Sequence, residues 1–432
     1  MKIAFFTPWP PNYSGIAEYV FGIVEGLSHF HEILVVHEKD SDEGIVTLPN
    51  VTFSSWKDPN IKMSLKNINL FVFQFGNNFE CHGFILNFLN YSVPKILHLH
   101  DLALCHFYGE LAHNSQPPYN FKEILFPRYG RNSLVEYDFI SKTTDPLLTG
   151  FSVKYPLLHD LLKHSDSIIV HSIFAKNKIR EHLYLKDVFK ITQLYNLTSG
   201  RDLDPQHYVR IPRKFGVFGH VDPQKKVHLI IRLFSKLLKE GLDVELHIYG
   251  KLNKQYAESC AEEFAGSEFL NRGIYIHGFQ AQSDLNRNLA QVDSVIALRS
   301  PTMGETSAIV MKSLQFNRIT VVSNVGWYSE LPHFVIKISN DNIEKELEAR
   351  IRELIKIGFS EGESQEKFLD FNKMIEEYSD IVSKVKENYS LNSCKEMENR
   401  VRAIMEECFL MNDSFINNEL EETFNKLIRE IS

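Results

Sequence analysis

Residues 8–19, PWPPNYSGIAEY, place a loop with proline and glycine between a short apolar run and a helix start. Ser14 is a residue type that caps helix N-termini, and Gly15 allows a ligand to approach the backbone closely. Free N–H groups at a helix N-terminus bind phosphate or carboxylate. An ordinary strand-to-helix turn has the same pattern. The segment lacks G-x-G-x-x-G spacing, which disfavours a dinucleotide oxidoreductase.

Residues 215–227, FGVFGHVDPQKKV, form a second strand–loop–helix pattern. Gly219 permits the turn, and Pro223 suits the loop or the first helical turn. Lys225 or Lys226 could project into a cleft and bind a phosphate group. Most lysines are simply solvated, so the position after a buried strand is what makes these two candidates.

The third and most informative pattern is ALRSPTMGETSAIVMKSL at 297–314. A buried strand is followed by a polar loop and then by an apolar helix, whose free N–H groups could bind a diphosphate. Glu305 is acidic at the same place, so its carboxylate fits sugar hydroxyls better than phosphate. Simple helix capping by Thr306 or Ser307 is compatible with either interpretation. The loop also contains Arg299 and Gly304.

Polar residues follow two apolar runs of the first half, in FQFGNNFECH at 73–82 and ILHLHD at 96–101. The carboxyl ends of parallel strands line the ligand cleft of an open α/β sheet, which makes Asn77, His82 and Asp101 candidates. His98 and His100 alternate with leucines and fit one strand face. Each could be catalytic or structural. No third ligand has recognisable spacing, so we predict no metal site.

Short apolar runs alternate with helical patterns along most of the chain. Such runs are typical of buried parallel strands, and the alternation predicts a doubly wound α/β architecture. The predicted strands are 3–6, 33–36, 70–75, 96–99, 168–170 and 191–194 in the first half, and 215–218, 244–249, 274–276, 294–298, 320–323 and 335–338 in the second.

The pattern restarts near a proline-containing polar segment at 205–212. We therefore predict a first Rossmann-like domain at 1–205, a second at 206–342, and a helical extension at 343–432 that packs partly back across the domains. Two similar α/β domains facing a cleft are a usual arrangement for binding a ligand.

Composition narrows the class of protein. The 432 residues carry a net charge of −8, and residues 343–432 alone contain 21 acidic and 13 basic residues. No region is basic enough to indicate nucleic-acid binding. The first apolar run is too short for a signal peptide, and no run is long enough to span a membrane. Five scattered cysteines without CxxC spacing favour neither disulfides nor zinc. We therefore expect a cytoplasmic protein.

The chain resembles the family 4 glycosyltransferases of bacterial polysaccharide assembly over roughly residues 1–340. The resemblance is carried by the three loops above, by FQFGNN and LHLHD, and by IIVHSIFAKNKI, VELHIYGK, IYIHGF and VVSNVGWYSELP in family order. It implies the GT-B fold and retaining, metal-independent transfer of a sugar from a UDP- or GDP-linked donor, without another cofactor.

The same resemblance implies roles for individual residues. Gly15 would approach the donor, and His100 would lie near the sugar's anomeric centre. Lys225 would bind the diphosphate, with Lys226 or His220 assisting. The catalytic set is then His100, Lys225 and Glu305. The remaining donor-binding set is Gly15, His220, Lys226, Ile276, Phe279, Arg299, Gly304, Thr306 and Ser307.

Two positions depart from the family pattern. His220 stands where the family often has an arginine. The family's two glutamates, seven residues apart, are not intact, because the helix alignment places Gly304 and Lys312 at those positions. Glu305 replaces the first glutamate with a one-residue shift, and the second, which usually contacts ribose, is lost.

The acceptor should bind mainly to the first domain, through Tyr13, Asn77, His82 and Asp101. It could be a glycan, a lipid-linked saccharide or a protein, which could bring the enzyme to the inner face of the membrane. Loop aromatic residues could stack on sugars or belong to the core. The tail could also form a homodimer. The alternatives are a non-catalytic GT-B-like protein that binds a glycan or partner, and, less favoured, an epimerase or phosphorylase.

Overall fold

The computed structural model describes residues 1–12, 14–115, 118, 120–142, 150–182, 186–196, 211–302, 304–358 and 370–409. Two separate parallel sheets dominate these residues. The first has seven strands in the order β3-β2-β1-β4-β5-β6-β7, and the second has six in the order β10-β9-β8-β11-β12-β13. In both, the order reverses beside the first strand, and ligands of doubly wound folds bind outside the carboxyl ends of the strands at such a point.

The strands of the first sheet are β1 (Lys2–Thr7), β2 (Glu32–His37), β3 (Val51–Ser55), β4 (Leu70–Phe75), β5 (Lys95–Leu99), β6 (Ser167–Val170) and β7 (Asp187–Lys190). Those of the second are β8 (Lys214–Phe218), β9 (Glu245–Tyr249), β10 (Ile274–Gly278), β11 (Ser294–Ala297), β12 (Ile319–Ser323) and β13 (Ile336–Ile338). The predicted α/β class with two Rossmann-like sheets is thus confirmed.

Helices connect these strands and cover both faces of the sheets. In the first half they are α1 (Gly15–Leu27), α2 (Ile61–Ser64), α3 (Phe79–His82), α4 (Cys105–Asn114), α5 (Phe121–Ile140), α6 (Gly150–Lys154), α7 (His159–Lys163) and α8 (Ile173–His182). In the second half they are α9 (Val227–Lys239), α10 (Lys254–Ser259), α11 (Ala261–Phe264), α12 (Gln282–Gln291), α13 (Ala308–Gln315), α14 (Ile343–Ile357) and α15 (Phe371–Phe409).

One predicted strand is wrong, and two observed strands, β3 and β7, were not predicted. Residues 191–194 are not a strand, and the seventh strand, β7, ends at Lys190. Ile191 and Leu194 are nonetheless fully buried, because they pack in a core shared by both domains rather than pair in the sheet. The two missed strands, β3 (VTFSS) and β7 (DVFK), form the two edges of the first sheet and are too polar to stand out.

The two domains share one hydrophobic core. It joins β1 and α1 of the first domain to α13 and the segment after β12 in the second. The C-terminal helix α15 enters the same core through Met374, Tyr378 and Val382, all of them buried. Helix α14 instead packs in the core of the second domain, through Leu347 and Ile351. The extension therefore contacts both domains. The predicted boundary at residue 205 lies outside the described residues.

Candidate active site

Two helix N-termini face each other between the domains. Ser14 caps α1 and accepts a hydrogen bond from Ile16 N at 3.2 Å, and Ser307 caps α13 and accepts one from Val310 N at 3.4 Å. A Cβ on Gly15 would lie 4.0 Å from the Cβ of Ala308, so the first turns of the two helices are in contact distance. Each N-terminus carries about half a positive charge, and together they favour an anion between the domains.

Lys225 is held in a turn that follows β8. Asp222 caps the turn and accepts hydrogen bonds from the backbone N–H groups of Gln224 and Lys225. The Lys225 ammonium donates to the carbonyl of Phe218 at 2.7 Å. Gly219 has φ +84°, a backbone conformation that favours glycine, and a Cβ there would lie 2.7 Å from Lys225 Nζ and displace the ammonium.

The electrostatics of the site favour proton loss from Lys225. Burial and, to a smaller extent, the Arg299 charge lower the pKa of Lys225 to about 7, against the opposing effects of Asp222 and Glu305. A bound anion would reverse this effect, because an opposite charge stabilises the protonated amine. The structure thus separates the two candidate lysines. Lys226 instead has a left-handed backbone, φ 52°, and forms the N-cap of α9.

Glu305 is paired with Arg299 in the loop after β11. Arg299 Nε and Glu305 Oε1 are 2.8 Å apart, and both side chains are largely buried, at 15% and 13% exposure. Arg299 also donates through Nη1 to Gln224 Oε1 at 2.9 Å, and Thr302 Oγ1 donates to Glu305 Oε2 at 3.4 Å. The carboxylate predicted to bind sugar hydroxyls is therefore positioned and neutralised by a neighbouring guanidinium.

The other predicted donor-binding residues are more widely spread. Thr306 donates its hydroxyl to Gln193 Oε1 of the first domain, and Gly304, at φ +78°, packs directly against Leu102 of that domain. His220 is exposed after the β8 turn. Ile276 is partly buried in the core of the second domain, whereas the Phe279 side chain is 65% exposed just beyond β10.

His100 is buried, with both ring nitrogens engaged inside the first domain. Its Nε2 lies 2.8 Å from Gln74 Oε1 and its Nδ1 lies 3.0 Å from His171 Nε2, while His171 Nδ1 donates to Ile191 O at 3.2 Å. Burial, reinforced by His98 and His171, holds the pKa of His100 well below its usual value. The imidazole is therefore neutral at pH 7. Because both of its nitrogens are hydrogen-bonded to protein groups, direct proton transfer by this ring is disfavoured.

A third histidine joins the pair noted in the sequence. Ligand atoms of His98, His100 and His171, all buried, lie within 4.8 Å of one another. His171 follows β6, which pairs with β5, so sheet order brings it beside residues some 70 positions earlier. The side chains hydrogen-bond to Gln74, Tyr378 and the backbone instead of presenting three free nitrogens. The absence of a resident metal stays a prediction.

The predicted acceptor residues are mostly engaged in local structure. Asn77 accepts from Phe107 N at 3.0 Å, and its own N–H donates to Asp101 Oδ2 at 2.9 Å. His82 is buried and donates through Nδ1 to Gln74 O at 2.9 Å. Burial raises the pKa of Asp101 to about 6, and the nearby Glu305 contributes in the same direction. Asp101 therefore lies at the cleft, close to the donor loop, whereas Tyr13 lies outside the described residues.

The loop aromatic residues that could stack on sugars or belong to the core include Trp9, Phe79, Phe107 and Tyr108, and they lie mainly in the core. Trp9 and Phe107 are fully buried, and Tyr108 is 5% exposed. Phe79 packs edge-on against Phe107, with ring centroids 5.5 Å apart. The core interpretation is thus confirmed for Trp9, Phe107 and Tyr108, whereas Phe79 is only partly buried.

Contacts between the domains include residues that sequence reasoning did not assign to the site. Lys312 of α13 is 1% exposed and lies 2.6 Å from both carboxylate oxygens of Glu18 on α1. Glu330 accepts from the backbone N–H groups of Ile173 and Phe174 at the start of α8. The only sequence signal for the first contact was a lysine in place of the family's second glutamate.

Acid should destabilise the protein through its buried histidines. Burial lowers the pKa values of His82 and His171 to about 4, so the unfolded chain takes up protons first as pH falls below about 6.5. Each group should then remove about 3 kcal/mol of stability by pH 4. Asp101, whose pKa is raised, has the opposite effect and adds stability as the pH falls from about 6 to about 4. We expect the melting temperature to fall steeply between pH 6.5 and 4.

The contribution of a single histidine can be isolated. His82→Asn retains a donor for Gln74 O but does not titrate, so its melting temperature should fall less than that of the wild type over this range. An equal decrease in the melting temperature of both proteins would show that His82 does not cause the loss of stability in acid. Differential scanning fluorimetry across the pH series measures both curves.

Comparison with known proteins shows the fold but no family. No protein-family model and no curated protein matches the sequence. Solved structures do match. Sucrose-phosphate synthase from Thermosynechococcus elongatus has a TM-score of 0.57 at 12% identity, over 89% of this chain and 99% of that one. Anabaena HepE in complex with UDP-glucose has a TM-score of 0.51 at 14% identity, over 82% and 90%.

A glycosyltransferase from Rickettsia africae is similar to the same extent, with a TM-score of 0.52 at 14% identity over 90% of this chain and 99% of that one. The fold is GT-B. Because these identities are so low, the likeness extends to the arrangement of two Rossmann-like domains and their cleft, and not to substrates. Among the described residues, no helix has the length and apolar character needed to cross a membrane.

Proposed function

We propose that the protein is a retaining glycosyltransferase that transfers a sugar from a UDP- or GDP-linked donor to a glycan or another acceptor. The observations that carry this proposal are the contact between two helix N-termini across the domains of a GT-B fold and the Lys225 ammonium, whose charge interacts with Arg299 and Glu305 of the loop before α13. All three favour an anion. A glycosyl donor of this kind brings a diphosphate, and the HepE structure was determined with UDP-glucose.

The chemistry follows from where charge develops. As the bond between sugar and diphosphate breaks, negative charge grows on the phosphate oxygens. Fixed donors that face this charge are usually the largest catalytic contribution. Lys225 and the starts of α1 and α13 would supply them without a metal ion. The leaving phosphate can accept the acceptor's proton, so no side-chain base is needed. Closure between the domains limits hydrolysis by water.

His100 would act on the sugar through its position rather than through its charge. The neutral ring is fixed by Gln74 and His171 beneath the cleft. Glu305, held by Arg299, would accept sugar hydroxyls on the other side. We place the reaction in the cytoplasm, in the synthesis of a cell-surface polysaccharide or glycoconjugate. Membrane association and dimerisation through the tail are further predictions.

A non-catalytic binding protein is the second candidate. The observation that favours it is the occupation of two key positions by ion pairs, because Glu305 is already paired with Arg299 and Lys312 with Glu18. Such a protein would bind a glycan or a partner without turnover even at saturating donor.

A thermal-shift panel of UDP-, GDP- and ADP-sugars, with EDTA present, tests the proposal. A ligand that binds only the folded protein increases the free energy of unfolding by mass action, by about 2.7 kcal/mol at a hundredfold excess over Kd, and so raises the melting temperature. We expect one nucleotide class to stabilise the wild type, and Lys225→Ala and Glu305→Ala to lose most of that shift. If no sugar nucleotide changes the melting temperature, the binding-protein candidate takes precedence.

A further inference from the structure

A mainly apolar cavity of about 270 Å³ adjoins the donor loop. Its wall combines the segment after β5, helices α5, α6 and α8, the turn at 156–158 and one residue of the second domain, Gly304. The apolar and aromatic lining residues are Leu102, Ala103, Tyr129, Val153, Leu158 and Phe174. Leu102 follows Asp101 in the chain, and Gly304 precedes Glu305. The cavity therefore opens where an acceptor would meet the donor.

The wall chemistry determines what the cavity can hold. A sugar ring has a hydroxyl on nearly every carbon, and each buried hydroxyl needs a hydrogen-bond partner. The charged lining residues already have partners, since Lys154 donates to Glu136 and Lys178 donates to Glu181. The remaining wall is apolar. An alkyl or aromatic group fits such a wall, and a saccharide does not.

Two further features indicate a built site. Val153 is 43% exposed although it lines the cavity, so an apolar side chain stands at the rim. Leu157, between the lining residues Pro156 and Leu158, has φ +56°. A bulky side chain in the left-handed region is strained, and such strain is concentrated at ligand sites and switch regions. The Leu157 N–H donates to the hydroxyl of Tyr129, which fixes the strained turn against the cavity wall.

We propose that this cavity binds the hydrophobic aglycone of the acceptor, an alkyl or aryl group attached to the part that receives the sugar. The inference rests on the proposed glycosyl transfer. The volume corresponds to roughly nine water molecules, so it accommodates one ring or a chain of similar size. A longer chain would continue past Val153 into solvent.

Binding of simple glycosides tests the inference without any donor. Octyl β-glucoside below its micelle concentration, 4-nitrophenyl β-glucoside and methyl β-glucoside carry the same sugar. We expect the octyl or the nitrophenyl compound to raise the melting temperature and the methyl compound to leave it unchanged. A larger shift from the octyl probe identifies an alkyl aglycone, and one from the nitrophenyl probe an aryl aglycone. Equal shifts from all three would overturn the proposal.

Variants locate the binding in this cavity. Val153→Asp should weaken binding of the apolar probe at least tenfold, because it places a charge at the rim. Val135→Asp changes another exposed valine, 61% exposed and outside the lining, and should bind as the wild type does. If both variants bind equally well, the probe binds elsewhere. Phe174→Ala provides a second variant at the cavity wall, in which the lost ring should also weaken binding.

The test of the aglycone site and the test of glycosyl transfer can fail independently of each other. Stabilisation by a sugar nucleotide without any response to the apolar probes refutes only the aglycone site. A response to the probes that Val153→Asp abolishes, without stabilisation by any sugar nucleotide, supports the apolar site and refutes glycosyl transfer.

Discussion

Replacing Lys225 with methionine should lower the rate of sugar transfer about a hundredfold, since a fixed donor facing the transition-state charge contributes about 3 kcal/mol. Methionine is unbranched and only one atom shorter than lysine, so the turn and Gly219 need not move. The folded protein should gain stability, because burial in the free protein disfavours the charged amine. Initial rates with the donor found in the thermal-shift panel measure the first effect, and the melting temperature the second.

The same lysine should make donor binding depend on pH. Its pKa is about 7 in the free protein, and a bound diphosphate raises it. Affinity is then highest below pH 7 and falls by up to about tenfold per pH unit as pH rises above 7. Titration calorimetry in buffers of different ionisation enthalpy should show proton uptake on binding at pH 8. This uptake should disappear in Lys225→Met.

Lys251→Met is the matched control, because Lys251 is an exposed lysine beyond β9. It removes one positive charge from the same domain without altering the turn that holds Lys225. Rates and proton uptake should stay near wild-type values. If Lys251→Met and Lys225→Met have similar effects, the domain attracts the donor through its general charge, and the specific role of Lys225 is wrong.

Removing Glu18 should be among the most destabilising single substitutions in the cleft. Lys312 is fully buried, and its ammonium lies 2.6 Å from both carboxylate oxygens of Glu18, with Asn286 as a further acceptor at 3.2 Å. Breaking a buried ion pair leaves an unpaired charge and costs about 3–5 kcal/mol. Glu18→Ala should therefore lower the melting temperature by several degrees and loosen the contact between α1 and α13.

Replacing Glu18 and replacing Lys312 should destabilise the protein to different extents. The Glu18 side chain is 28% exposed, so water can solvate it when Lys312 is replaced. Lys312→Met should thus cost less than Glu18→Ala, and the double variant should recover part of the loss because no buried charge remains. Melting temperatures of the four proteins form a double-mutant cycle. Additive effects of the two substitutions would show that the ion pair contributes little to domain closure.

Local sequence patterns determined the fold class, because a buried parallel strand must be apolar wherever it lies in the chain. Eleven of the twelve predicted strands are present, from the one at the N-terminus to β13. The exception at 191–194 shows the limit of this reasoning. An apolar run indicates burial, and those side chains are buried in the core that both domains share rather than in a paired strand.

The loops that follow the strands could likewise be located from sequence, because glycine, proline and capping residues have strong local preferences. The caps at Ser14 and Ser307 form as their residue types predict. Local preference could not choose between Lys225 and Lys226. That choice follows from a short turn that directs one ammonium to Phe218 O and gives the other residue a left-handed backbone.

Only the tertiary structure decided which distant residues meet. His171 reaches His100 because β5 and β6 are neighbours in the sheet. Lys312 reaches Glu18, almost three hundred residues earlier, because two helix starts face each other across the cleft. Such pairs leave no periodic signal, since their spacing depends on strand order and domain packing. The sequence therefore determined the two α/β domains and their ligand-facing loops, and the packing of those domains decided which side chains share the cleft.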